Sequence, residues 1–364
     1  MKNKTTVKYF LISLKRNIPF VIFNLIIFSL VYIVPLLFIL LEKKGNSEPT
    51  YPNYNYHYNL STNYGYLITV LAIYAVVGPV ICFKYLSNKK QIDTFYSLPL
   101  SREKISIVNL LISIICIIVP FTLVYFTGSV MTLIFYPEVQ YIYYVVLYFI
   151  LIAMFVMYYM FNAFFYTRAN KVVDGCLTVL FANFTLILIV CVVNQLFTID
   201  FINNDDFYFS FLPFMGFAKY GNYFNNLIVA KYNYKDYMAG YNNIKLTYTQ
   251  WYSRIDGPAY SYIIVLSILF VIVTVLFFVL HKKRKPENAG EISNSKFGLQ
   301  VLTPTICTCL AIIFQVSGNL LLSVIVSSAI AILYLCATAV ELNTIRFPLY
   351  KILMLIGISI LSFL

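Results

Sequence analysis

Ile105-Ser-Ile-Val-Asn-Leu-Leu-Ile-Ser-Ile-Ile-Cys-Ile-Ile-Val-Pro-Phe-Thr-Leu-Val-Tyr125 decides the class of this chain. The stretch contains no charged side chain, and a helix needs about 20 apolar residues to cross the hydrocarbon of a bilayer. Apolar blocks of this kind recur at 18–41, 66–86, 105–135, 141–166, 176–199, 260–280, 299–316 and 320–340. Over the whole chain 61% of residues are hydrophobic and 11% charged, against about 25% charged in a soluble domain. Membrane-spanning strands would instead alternate apolar and polar residues over about ten positions. The expected fold is all-α, a polytopic bundle of transmembrane helices. A ninth block, 352–364, is too short for a comfortable span, so the natural chain is expected to continue past Leu364.

Basic residues give an expected orientation. With the N-terminus in the cytoplasm, the inner segments are 1–17, 84–104, 167–175, 281–298 and 341–351. They carry 19 of the 26 Lys and Arg residues and six of the 14 acids, a net +13. The outer segments carry the other seven basic residues and eight acids, a net −1. Positive charge flanking the spans on one side is the signature of the cytoplasmic face. The expected location is the plasma membrane, multi-pass, with the N-terminus inside. The same split argues against nucleic acid as a partner, because the charge lines membrane flanks instead of gathering on one folded face.

Residues 1–17 precede an apolar run longer than the 7–15 residues of a cleavable signal, and no small-x-small site follows. They read as a leader to an uncleaved first span, with Val7, Phe10, Leu11 and Leu14 at the spacing of an interfacial helix. Cys82, Cys116, Cys176, Cys191, Cys307, Cys309 and Cys336 all fall in or beside apolar blocks, which argues for small buried hydrophobes and against a disulfide framework. His57 and His281 fall in different compartments, so neither a metal site nor a catalytic histidine is expected. The phosphate-binding G-x-x-x-x-G-K-[ST] loop is absent, as are hydrolase motifs. No cofactor and no enzymatic activity are expected of the chain itself.

Polar residues inside the blocks are few: Asn24, Asn109, Asn162, Asn183, Asn194, Gln195 and Gln315. None of the blocks has a central carboxylate, which an ion-coupled carrier needs. Asn183 and the Asn194-Gln195 pair read first as hydrogen-bonding glue between helices. Residues 42–65, rich in Tyr and Asn, read as an irregular surface loop. Segment 200–259 reads as an outer cap, with the aromatic stretch 207–217 lying on or dipping into the outer leaflet.

One polar connection is more structured than a reversal of direction requires. In Asp93-Thr-Phe-Tyr-Ser-Leu-Pro-Leu-Ser-Arg-Glu-Lys104, Ile92, Phe95 and Tyr96 share a helical face. Pro99 ends that turn, and Ser101 caps a new helix beginning Arg102-Glu103-Lys104. Two readings fit these residues equally well, a docking element for a partner protein and an interfacial helix resting on headgroups.

Asp93 to Ile105 resembles the D-x-x-x-S-L-P-x-[ST]-R-x-x-I stretch of type-2 ATP-binding-cassette (ABC) exporter permeases, in the same place between the second and third spans. His281-Lys-Lys-Arg-Lys-Pro-Glu-Asn-Ala-Gly290 resembles the R-K-x-E-x-A-G stretch after the sixth span in a Gram-positive branch of that family. The resemblance covers about residues 1–300 by order of elements. It implies a six-span core over 18–298, with a coupling loop at 87–104 and an outer segment at 200–259. Residues 299–364 would then be an appended helical hairpin or a longer extension. It further implies a separate ABC ATPase subunit as partner and the site of ATP, together with a second permease half, identical or related. Asp93, Phe95, Tyr96, Leu98, Pro99, Arg102 and Glu103 would form the ATPase-coupling element, and Arg284, Glu287 and Gly290 a second cytoplasmic contact. The implied function is outward movement of an amphipathic or lipid-like molecule or an antimicrobial peptide. A membrane sensor or resistance factor coupled to an ATPase without transport, and a carrier independent of any ATPase, remain open alternatives.

Overall fold

The computed structural model describes residues 2–45, 54–135, 141–197, 260–282, 284, 289 and 290, with isolated positions between 301 and 332. The elements are α1 (Lys2–Arg16), α2 (Ile18–Phe28), a π-helical turn (Ser29–Ile33), α3 (Val34–Gly45) and α4 (Tyr54–Phe83). A 3-10 turn (Lys84–Ser87) leads into α5 (Lys89–Tyr96), α6 (Arg102–Phe135), α7 (Tyr141–Tyr166), α8 (Val172–Phe197) and α9 (Tyr260–Lys282). No strand occurs among the described residues.

Among the described residues four helical stretches are long and apolar enough to cross a membrane: Ile18–Leu41, Tyr66–Ser87, Arg102–Ile134 and Leu147–Tyr166. The chain is an α-helical protein built for a bilayer. Segment 200–259, the final block and most of the expected hairpin after residue 299 lie outside the described residues.

Two compact units divide the chain. One comprises Met1–Gly78, Pro99–Tyr159 and Phe217–Val271, and the other Pro79–Leu98, Met160–Gly216 and Ile272–Leu364.

In the first unit α1, α2, the π turn and α3 all pack on α6. Asn24, Phe28, Tyr32, Leu36 and Leu40 are almost fully buried, a strict four-residue step. In a helix of 3.6 residues per turn such a row drifts around the axis. The wider π turn, which the expectation of one regular helix over 18–41 did not include, takes up part of that drift. Polar groups act here as cross-braces: Asn24 donates to the Cys116 carbonyl at 3.0 Å, and Tyr159 to Ser113 Oγ at 2.8 Å. The leader is helical, as its spacing predicts. Phe10 and Leu14 pack on Val108, Ile112 and Cys116, while Tyr9 donates to Asn109 Oδ1 at 3.0 Å.

Residues 54–65 correct the expectation of an irregular loop, because α4 starts at Tyr54. After Pro52 neither proline nor glycine interrupts the run before Gly65. Tyr, Asn and Ser cost only a fraction of a kcal/mol each in a helix interior, about 0.7 at most. A helix already formed by the apolar block propagates back through them.

Gly128 on α6 faces the Tyr32 ring so closely that a methyl group there would overlap it. Gly128→Ala is expected to lower stability in detergent by about 2 kcal/mol, an ordinary overpacking cost. Adding Tyr32→Leu is expected to restore part of the loss. Equilibrium unfolding that is unchanged in Gly128→Ala would show that the ring yields freely.

In the second unit Asn183 on α8 donates to Asn162 Oδ1 on α7 at 2.9 Å, the inter-helix role its sequence position suggests. Gly175 leaves room for the Tyr166 ring, where a Cβ would stand 2.6 Å from Cε2. Phe83, Phe277 and His281 form a ring cluster, with Phe277 stacked on His281 at 5.5 Å between centroids.

Candidate functional site

The connection from α4 to α6 is built from local signals. The 3-10 turn closes α4, and the chain extends at Asn88, with φ −123° and ψ 116°. The Asn88 side chain accepts from the Lys90 N–H at 3.1 Å, an N-cap that satisfies one orphan donor of α5. At the other end Ser97 N–H donates to the Asp93 carbonyl at 3.0 Å, and Ser97 Oγ to the Thr94 carbonyl at 2.9 Å. Pro99 follows, and it lacks the N–H that a further turn would need. The Ser101 carbonyl accepts from Ile105 N–H at 3.1 Å as α6 begins at Arg102. The short helix and the second helix start are both where the sequence predicts them.

α5 is strongly two-faced. Ile92 is buried, Phe95, Tyr96 and Leu98 are half-buried, and Lys89, Lys90, Asp93 and Thr94 are exposed. Phe95 packs on Tyr85 of the 3-10 turn, ring centroids 4.6 Å apart. Pro99, Arg102 and Glu103 are also exposed. The division between units falls between Leu98 and Pro99, so Asp93, Phe95, Tyr96 and Leu98 belong to the second unit and Pro99, Arg102 and Glu103 to the first.

Beyond α9, Arg284 holds three carbonyl oxygens from two other parts of the second unit. Nη1 donates to Thr167 at 2.6 Å, and Nη2 donates to Ala169 at 2.9 Å and to Leu86 at 3.1 Å. Gly290, at φ +77°, donates its N–H to the Asn170 carbonyl at 3.0 Å. That positive φ is a conformation which glycine adopts without the steric penalty of a Cβ. The run after α9 is thereby tied to the α7–α8 turn and to the 3-10 turn that leads into α5.

Burial pushes the Arg284 guanidinium below its ordinary pKa, while the neighbouring Tyr96, Tyr85 and Tyr166 favour its charged form. Arg168 is lowered to about 10, by burial first and by the Arg284 charge second. Its guanidinium lies 5.4 Å from the centroid of the Phe164 ring. At about 10, Arg168 stays protonated at neutral pH.

The structure therefore brings Tyr96 of the expected coupling element and Arg284 of the expected second contact into one cluster. Gly290 joins the same cluster, whereas Glu287 lies outside the described residues. The donors of Arg284 are turned to the chain's own backbone. Sequence reasoning missed Tyr85, Arg168 and the α7–α8 turn as parts of this assembly. The only signal was a basic run after α9 matched by Arg168-Ala-Asn-Lys171 between α7 and α8.

No protein-family model, curated protein or solved structure matches this chain.

Proposed function

We propose that the chain is the membrane-spanning permease subunit of an ABC transporter, with α5 as the element that docks on a separate ATPase subunit. The substrate class that goes with this reading is an amphipathic or lipid-like molecule or an antimicrobial peptide, moved outward. The observation that supports it is the construction of α5. It is an eight-residue helix capped at its start and followed by a proline stop, and its last two residues, Phe95 and Tyr96, are half-buried. Through Arg284 the turn that leads into it is joined to the α7–α8 turn and to the run after α9. A push on such a helix reaches several membrane helices with little slack.

The test is purification of the tagged chain from its native membrane in mild detergent. A nucleotide-hydrolysing subunit is expected to come with it, and the isolated chain is expected to bind no ATP. Recovery of the intact chain without any such subunit, or specific ATP photolabelling of the chain alone, would overturn the proposal.

The proposal places α5 and residues 281–298 in the cytoplasm and 200–259 outside, following the 19-to-7 split of basic residues. Single cysteines at Asn88 and Asn243 are expected to react with an impermeant reagent from opposite faces. Labelling of both from one face would sink the topology.

A further inference from the structure

A groove of about 450 Å³ opens at the base of α5, lined by Lys84, Ser87, Asn88, Lys89, Gln91, Val172, Ala289 and Gly290. All of these belong to the second unit, so the groove lies within one compact body. Among the described residues its side-chain chemistry is one-sided: two ammonium groups, a hydroxyl and two amides, and no carboxylate. Such a lining suits an anion that accepts several hydrogen bonds, which is the chemistry of a phosphate ester.

The position of the groove selects the source of that phosphate. Lys84 and Ser87 close the membrane-length stretch Tyr66–Ser87, and Val172 opens the apolar stretch Val172–Thr185. The groove therefore stands where two apolar helical stretches give way to polar chain, the level at which phospholipid headgroups lie. Basic pockets between transmembrane helices bind acidic lipid headgroups, each Lys or Arg adding about fivefold to the affinity for an anionic surface. Its volume is ample for a phosphate with a glycerol-sized substituent. The floor is fixed by the Gly290–Asn170 hydrogen bond and the Asn88 cap.

We infer that this groove is a binding site for the headgroup of an anionic phospholipid. The inference does not depend on the permease reading, because it needs only a bilayer and the described side chains.

The experiment uses the full chain in nanodiscs of phosphatidylcholine with a minor fraction of phosphatidylglycerol, released into the gas phase for native mass spectrometry. The parent chain is expected to retain one phosphatidylglycerol preferentially. Lys84→Gln/Lys89→Gln is expected to weaken that retention about twenty-five-fold, two lysines at about fivefold each. Lys8→Gln/Lys15→Gln, an equal charge change at exposed positions of α1, is expected to leave it unchanged. Thermal unfolding of each variant reports whether the fold has survived. Equal loss in both double variants would reduce the effect to general surface charge and overturn the site. Displacement of the lipid by millimolar inorganic phosphate, with equal protection of the groove by phosphate alone, would assign it to a soluble phosphate and overturn the lipid.

Discussion

Phe95→Ala/Tyr96→Ala is expected to leave the chain inserted and expressed but to separate ATP hydrolysis from transport. Neither residue lies in a membrane-length helical stretch, so insertion has no need of them. A short helix transmits force to a partner only if a few rigid side chains are buried there, and truncating such an anchor commonly costs about 2 kcal/mol or more. At room temperature about 1.4 kcal/mol is tenfold, so the pair carries a loss of two orders of magnitude or more in association with the ATPase. The two residues are not equivalent. Phe95 packs on Tyr85, so its loss also loosens the 3-10 turn, whereas Tyr96 lies close to Arg284. Tyr96→Phe is the discriminating variant, since it keeps the ring and removes the hydroxyl. A helix that only rests on headgroups behaves differently: Phe95→Leu/Tyr96→Leu keeps its apolar face and restores full activity. Full coupled activity in that double variant would exclude shape-specific docking.

The difference between what the sequence displayed and what it hid follows from range. The apolar blocks are contiguous in the chain, and the Ser101 start and the Pro99 stop depend on residues within a turn of each other, so each was legible; the Asn88 start was not singled out. Hydropathy also outlines α7 and α9 to within a residue or two of their observed ends. The helix over 54–65 was not legible, because tyrosine and asparagine are poor formers locally and the decision is made by the block downstream. The π turn depends on which faces of α2 and α3 meet α6, a tertiary fact. The Arg284 clamp is the extreme case. Its acceptors are backbone carbonyls of Leu86, Thr167 and Ala169, and a carbonyl has no letter in the sequence. Lysine and arginine after a span read as charge for the membrane surface, and nothing local separates Arg284 from its neighbours Lys283 and Lys285.

Arg284→Ala is expected to destabilise the second unit by about 3 kcal/mol or more. A hydrogen bond with one charged partner contributes about 1.5–3 kcal/mol, and three such bonds are lost together. Partial re-hydration of the freed carbonyls keeps the total well below the sum. A second offset comes from Arg168, whose pKa Arg284 helps to depress. Removing Arg284 relieves that repulsion, so the measured loss understates the strength of the clamp. Arg284→Lys keeps the charge but not the planar fork, and one ammonium cannot face acceptors on three residues with the same geometry. It is expected to recover less than half of the loss. Hydrogen exchange gives the spatial signature. Faster exchange is expected in 84–96 and 167–175 together, while the α2 and α6 amides of the first unit keep their protection. Exchange confined to the run after α9 would show that Arg284 anchors only its own segment. Parental stability in Arg284→Ala would show that water replaces the guanidinium at no cost. Coupled loosening of both distant segments, reversed in part by lysine, is the result that only a three-way clamp produces.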